Sequence, residues 1–184
     1  KKTKIFDKII VSTDCDKIAK IARFYGAEAP FRRPSYLSNS KATDIDVLKH
    51  FISFLKKNKI STNYICYAYA TNPLLKISTI VNTFRLLKKK DIQRVLTISK
   101  YEYPIQRALK KATDGKISFR EPKFRNSTSQ KLKVFYQDAC QCYWYNLNQI
   151  KNFNKFEKLN TLGYELKNLE FVDLNDADDF NKLK

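Results

Sequence analysis

The chain has 184 residues, 43% apolar and 14% aromatic, which suits one domain with a sizeable core and excludes a disordered segment. No apolar run approaches membrane-spanning length, and Lys1-Lys2-Thr3-Lys4-Ile5-Phe6 lacks the apolar core and small-residue cleavage site of a secretory signal. Lysine and arginine total 36 against 18 acidic residues, a net charge of +18 that fits either nucleic acid or an anionic substrate.

The lysines are scattered, with Lys88-Lys89-Lys90 the one tight run, and there is no RNP-type motif, zinc finger or obvious recognition helix. The preferred reading is a solvated lysine-rich surface that draws in an anionic small molecule. No dedicated nucleic-acid binding and no membrane partner are expected. Cys15, Cys66, Cys140 and Cys142 form no CxxC pair, and His50 has no metal-ligand spacing to them, so a zinc site is not expected. Free thiols point to a reducing compartment, the cytoplasm.

Ile9-Ile10-Val11-Ser12 reads as a buried strand, with Thr13 and Asp14 as helix-start residues. Residues 15–25 show helical spacing through Ile18, Ile21, Ala22 and Tyr25, and Gly26 stops the helix as its C′ residue. Ala29 to Leu37 holds Pro30 and Pro34 and is extended or looped. A second helix runs from about Thr43 to Lys57, with Leu48, Phe51, Ile52 and Leu55 inward; His50, beside that stripe, is read as structural.

Tyr64 to Ala70 is the next strand, and Thr71-Asn72-Pro73 a loop. A helix from Ser78 to Lys89 buries Ile80, Val81, Phe84 and Leu87, and Val95 to Ile98 is a third strand. This order predicts a parallel sheet with helices on both faces, whose ligand lies beyond the carboxyl ends of the strands, at Asp14, Thr71-Asn72 and Lys100. Asp114-Gly115 marks a hairpin, and residues 121–133 a polar loop. A short helical piece lies near Asn148, a last strand at Phe171-Val172-Asp173 and a closing helix from Asp176 to Lys184. No internal repeat, low-complexity segment or linker is visible.

Tyr136-Gln137-Asp138-Ala139-Cys140-Gln141-Cys142-Tyr143-Trp144 is dense in hydrogen-bonding and aromatic groups. Alternation places Tyr136, Asp138, Cys140 and Cys142 on one face of a strand, and Gln137, Ala139, Gln141 and Tyr143 on the other. Such a strand can line a polyhydroxylated ligand, since amides and phenols pair with hydroxyls while rings cover apolar faces. Taken without the rest of the chain, it reads as an ordinary sheet strand with a polar outer face.

Six segments in order resemble the cytidylyltransferases that activate nine-carbon acidic sugars, the pseudaminic acid branch above all. Ile9 to Asp14 is similar to that family's second strand and turn. Tyr25-Gly26-Ala27-Glu28 with Phe31-Arg32-Arg33-Pro34 resembles "YGAEVPFLRP", and Tyr69 to Leu74 resembles "YATAPF". Pro104 to Leu109 reads PIQRAL as in that branch, Tyr136 to Trp144 resembles "YHDAGQFYW", and Asp173-Leu174-Asn175 with Asp179-Phe180 resembles the terminal "DIDTPEDW".

The resemblance implies a three-layer α/β, nucleotide-diphospho-sugar-transferase-like (Rossmann-like) domain, with a mainly parallel sheet and a small β excursion after Lys100. It implies CTP and an acidic nine-carbon sugar as partners, Mg²⁺ as cofactor and a homodimer. The sugar's anomeric hydroxyl would attack the α-phosphate and pyrophosphate would leave. On the motif matches Asp173 is the catalytic metal ligand and Asn175 the second metal position. Arg33, Thr43 and Thr71 face the nucleotide, and Tyr69, Gln106, Arg107, Gln130, Asp138, Gln141 and Tyr143 the sugar.

Four departures accompany the likeness. The family's first strand and its triphosphate-holding loop have no counterpart in residues 1–184, which are read as one domain without them. Asn175 stands for a second carboxylate, Thr128 for an arginine, and Cys140 for a small glycine. Two further readings stay open: a related acylneuraminate cytidylyltransferase, and an inactive or incomplete member serving as a binding or assembly module.

Overall fold

A capping box starts the longest helix. The side chain of Thr43 accepts the Asp46 amide at 3.2 Å, and the Asp46 carboxylate accepts the Thr43 amide at 3.1 Å. Lys56 and Lys57 close the far end, where cations suit the helix dipole. The computed structural model describes residues 2–152, 155–167, 174 and 181. Within them the helices are α1 (Asp16–Phe24), α2 (Asp44–Lys57) and α3 (Ile77–Leu87). The strands are β1 (Tyr64–Ala68), β2 (Arg94–Lys100), β3 (Leu109–Lys111), β4 (Ile117–Phe119), β5 (Tyr136–Asn146) and β6 (Thr161–Leu166).

The main sheet runs β1-β5-β2-β6. β5 is antiparallel to both β1 and β2, and β6 is parallel to β2, so three of the four strands share one direction. Alternation distributes the sheet's side chains to two layers. Ile65, Tyr67, Tyr143 and Tyr145 pack with Leu48, Ile52 and Leu55 of α2. Tyr64, Cys66, Val95 and Trp144 pack with Ile80, Phe84 and Leu87 of α3. This is the expected three-layer arrangement. Trp144 is stacked on Phe6 at 5.4 Å and on Phe84 at 4.6 Å between ring centres.

The sequence expectation for Ile9–Ser12 needs correction. This segment forms one isolated parallel bridge, Ile10 with Glu28, and Thr13 just after it forms another with Arg32; it is not a strand of the main sheet. The partner segment carries Pro30 and Pro34, which have no amide proton to extend a ladder. Among the described residues no strand bonds to the edge of β1 that faces away from β5.

α1 ends as expected. Gly26 has φ +77°, its amide donates to the Arg23 carbonyl, and the Ala27 amide donates to Ala22, the bond pair of a Schellman cap. Its apolar stripe is not inward, because Ile18, Ile21 and Phe24 are exposed and only Ala19 is buried. α3 also departs from expectation: its fully covered line is Thr79, Thr83 and Leu87, with Ile80, Val81 and Phe84 half-buried. The Thr83 hydroxyl satisfies itself on the Thr79 carbonyl at 2.6 Å, which allows a threonine in that place.

The Asp114-Gly115 hairpin joins β3 and β4, with Gly115 at φ +86°. Residues 121–133 hold two 3-10 turns, Pro122–Phe124 and Ser129–Lys131, and residues near Asn148 form a turn, not a helix. β6 was not anticipated. Its Gly163 lies so close to Ile98 that an added Cβ would sit 2.5 Å from Cδ1 of that side chain. The expected strand at 171–173 lies outside the described residues, and of the expected helix at 176–184 only Asn181 is described.

Candidate functional site

β5 does not alternate along its length. Leu96 of β2 pairs with Tyr143, whereas Ile98, two residues on, pairs with Asp138. Three extra residues of β5 are thus looped out between these pairs. An odd insertion reverses the parity of the strand, so Asp138 joins the face of Tyr143. Cys140 turns the bulge at φ +48°, in the left-handed region that favours glycine.

Buried polar groups pin the bulge. The Asn72 amide donates to the carbonyls of Ala139 at 3.3 Å and Cys140 at 3.4 Å, while its oxygen accepts from the Gln141 side chain at 3.0 Å. The Thr97 hydroxyl accepts the amides of Gln141 and Cys142. The Asp138 carboxylate accepts the Cys140 amide at 2.9 Å through Oδ1 and the Tyr143 hydroxyl at 2.8 Å through Oδ2.

Next to the bulge lies a cluster of phenols just past the carboxyl end of β1. Tyr67 sits opposite Tyr143 in the ladder, and the Tyr69 amide continues the pairing by donating to the Gln141 carbonyl. Tyr69 meets Tyr67 at 5.3 Å and Tyr143 at 5.5 Å between ring centres, edge to face in both cases. Asp44, in the first turn of α2, accepts the hydroxyls of both Tyr67, at 3.0 Å, and Tyr69. The result is a cluster in which Asp44 holds the hydroxyls of Tyr67 and Tyr69, Asp138 holds that of Tyr143, and the Tyr69 and Tyr143 rings meet edge to face.

Burial pushes the phenols of Tyr67, Tyr69 and Tyr143 well above the ordinary tyrosine range, and their carboxylate partners add to the shift. Burial also pushes Tyr145 up to about 12. These groups are therefore neutral hydrogen-bonding surfaces at physiological pH, not acids or bases in waiting. On the other sheet face Cys142 is held below the ordinary thiol range by a hydrogen bond from Cys66, whose own thiol is pushed up by that bond and by burial.

The structure brings Tyr69, Asp138 and Tyr143 of the expected sugar residues into one cluster. Gln141 is fully buried behind it, with its amide on Asn72. Gln106 is buried in a 3-10 turn at Ile105–Arg107, where its amide donates to the Lys133 carbonyl at 2.7 Å. Arg107 and Gln130 are exposed. Of the expected nucleotide residues, Arg33 is half-buried, donates to the Ser38 hydroxyl at 3.1 Å and lies 3.8 Å from Asp14. Thr43 caps α2 and donates its hydroxyl to Asp46 at 2.7 Å. Thr71 is exposed, and its carbonyl accepts the Leu174 amide at 3.1 Å.

Asp173 and Asn175 lie outside the described residues. Among the described residues no group of three His, Cys, Asp or Glu side chains is placed to hold a metal ion. Sequence reasoning missed Asp44, which lies 23 and 25 residues before its two phenol partners, and it placed Asn72 in a loop at the ligand end of the sheet without its hold on β5.

A family model described as cytidylyltransferase matches residues 1–180. The chain belongs to the cytidylyltransferase family. Among curated cytidylyltransferases it is similar to pseudaminic acid cytidylyltransferase of Campylobacter jejuni, with 31% identity across 76% of this chain and 60% of that enzyme. It is also similar to a Helicobacter pylori protein named pseudaminic acid cytidylyltransferase and UDP-2,4-diacetamido-2,4,6-trideoxy-beta-L-altropyranose hydrolase. There the identity is 26% over 94% of this chain and 33% of that protein. The chain thus spans less than two thirds of these relatives' own length. Among solved structures it resembles CMP:2-keto-3-deoxy-manno-octonic acid synthetase complexed with CTP, with a TM-score of 0.64 over 96% of this chain and 78% of that one. Identity there is 11%, so the likeness shows the shared α/β fold.

Proposed function

We propose that this cytidylyltransferase chain moves CMP from CTP to pseudaminic acid or a closely similar nine-carbon acidic sugar. The observation that carries the reading is the joint one: a family match across residues 1–180 and, past the end of β1, a hydroxyl-rich cluster of Tyr69, Tyr143 and Asp138. Amphiphilic phenols and a carboxylate suit a polyhydroxylated ring. In the reaction the sugar's anomeric oxygen bonds to the α-phosphorus of CTP. The bond from that phosphorus to its bridging oxygen breaks, pyrophosphate leaves, and the anomeric proton passes to solvent.

Arg33 is the nucleotide-side cation in this reading, since a guanidinium can hold phosphate or a base edge. Thr71 and Thr43 flank the nucleotide, and Gln106, Arg107, Gln130 and Gln141 complete the sugar side. Mg²⁺ is proposed as cofactor, with Asp173 as its carboxylate and Asn175 as a neutral oxygen ligand. When bound it would neutralise charge on the phosphate oxygens. The Leu174 amide donates to the Thr71 carbonyl, three residues past the end of β1.

A cytoplasmic setting is supported by four free cysteines, and no described helix is long and apolar enough to cross a membrane. A homodimer is supported by exposed Leu109 and Ile117 on the β3–β4 hairpin. The deciding experiment is pyrophosphate release from CTP and Mg²⁺ with a panel of nonulosonic acids. Release with pseudaminic acid above the sialic acids is expected. The neutral Asn175 favours a second reading, a binding or assembly module, and sugar binding without pyrophosphate release would establish it.

A further inference from the structure

Arg33 is a half-buried cation with most of its hydrogen-bonding capacity unspent on protein groups, and the inference drawn from it rests on the reading of Arg33 as the nucleotide-side cation. The Arg33 amide donates to the Thr13 carbonyl at 2.9 Å, beside the parallel bridge of Thr13 with Arg32. That backbone bond brings the Asp14 and Arg33 side chains together. Ser38 fixes one edge of the guanidinium. Its hydroxyl donates to the Pro34 carbonyl at 3.1 Å and turns a lone pair to Nε of Arg33, also at 3.1 Å. On the other edge Oδ1 of Asp14 lies 3.8 Å from Nη2, near enough for charge attraction but too far for a hydrogen bond. The Arg33 side chain is only 26% exposed. Yet among the described residues neither of its Nη nitrogens donates to a protein acceptor, although each carries two protons.

We propose that Ser38 is a positioning residue for Arg33 and that Asp14 is its counter-ion, which leaves the Nη edge of the fork to receive phosphate oxygens of the nucleotide. Two N–H groups side by side on a rigid guanidinium match the spacing of phosphate oxygens. Ser38 aims that edge without consuming it. Asp14 lends its charge without a hydrogen bond, so the pair is close to neutral and Arg33 is not a lone half-buried cation. An arriving phosphate takes the unspent N–H groups and meets the repulsion of Asp14. The counter-ion therefore weakens nucleotide binding and speeds release, whereas Ser38 strengthens binding. A carboxylate that merely clipped the two segments together would act in the opposite sense, because its loss would loosen Arg33.

The test uses the full chain and four variants: D14N, D14E, S38A and R33Q. Calorimetry measures affinity for CTP, and for inorganic tripolyphosphate as a probe of phosphate recognition alone; urea midpoints show that each variant is folded. At low salt D14N is expected to bind both ligands about three- to fivefold more tightly, the scale of one partly exposed charge pair. D14E keeps the charge and should bind as the parent does. S38A should bind about fivefold more weakly, the scale of one hydrogen bond. The gap between D14N and the parent should narrow as salt is raised, since screening weakens the repulsion of Asp14. A folded D14N that binds CTP no more tightly than the parent would overturn the counter-ion role, and an unchanged S38A would overturn the positioning role. If R33Q binds CTP as well as the parent, or the parent binds neither ligand, the nucleotide-side reading of Arg33 falls and this inference with it. If R33Q loses affinity but D14N gains none, that reading stands and the counter-ion role alone is refuted.

Discussion

Tyr143 donates its hydroxyl to Asp138 at 2.8 Å, although strict alternation along β5 would send the two side chains to opposite faces. The three looped-out residues make that meeting possible, and Asn72 is the buried group that holds them. Replacing Asn72 with alanine removes three hydrogen bonds, two to the Ala139 and Cys140 carbonyls and one from the Gln141 side chain. The expected cost is about 2 kcal/mol in urea unfolding, together with loss of the Asp138–Tyr143 bond. A variant as stable as the parent would mean that the bulge holds itself.

Cys140 sits in the left-handed region, where a side chain costs about 1–2 kcal/mol. Glycine there removes the strain but loosens the unfolded chain. Cys140→Gly is expected to stabilise the fold by about 0.5–1 kcal/mol, read as a raised urea midpoint. A lowered midpoint would show that the contact between the Tyr143 hydroxyl and Cys140 Sγ, at 3.7 Å, outweighs the strain.

Thr43 distinguishes a cap from a nucleotide contact. Thr43→Ala should cost about 1 kcal/mol by loss of the capping box, and Thr43→Ser should restore it. If Thr43 also serves the nucleotide, the KM for CTP rises in the alanine variant even at temperatures where it is fully folded. An unchanged KM leaves the cap as its whole role.

The buried phenols set an alkaline limit on stability. Their folded-state values are raised above the ordinary 10.0, so between that value and the folded one the unfolded chain gives up protons that the native chain keeps. Their stabilisation is complete below pH 10 and is lost as pH rises beyond it. Urea midpoints measured from pH 7 to 11 should fall off above about pH 10. Tyr145→Phe should make that decline shallower. A midpoint flat to pH 11 would contradict the burial of these rings.

Much of the layer arrangement was legible in the sequence because it rests on local periodicity and punctuation. The α2 stripe of Leu48, Ile52 and Leu55, the Gly26 stop and the Asp114-Gly115 hairpin all follow from neighbours within a few residues. Ile9–Ser12 misled because strand formation depends on a partner, and its partner segment carries prolines. β6 was missed since its parallel place beside β2 depends on a segment more than sixty residues earlier in the chain. In the site, the motif match drew attention to Tyr69, Asp138 and Tyr143, but not to how they meet. That needed the odd-numbered bulge, which no alternation pattern encodes, and Asp44, which looked like an ordinary first-turn acid.

Trp144 is the single tryptophan of the chain, and it lies between Phe6 near the amino terminus and Phe84 of α3. Its indole emission is therefore a one-site optical signal for the seating of the first few residues on the sheet. A shift to longer wavelength without loss of helix signal would register the departure of Phe6 alone. The protein thus carries a native probe for following how its amino-terminal segment docks, at the residue next to Tyr143 and on the opposite face of β5.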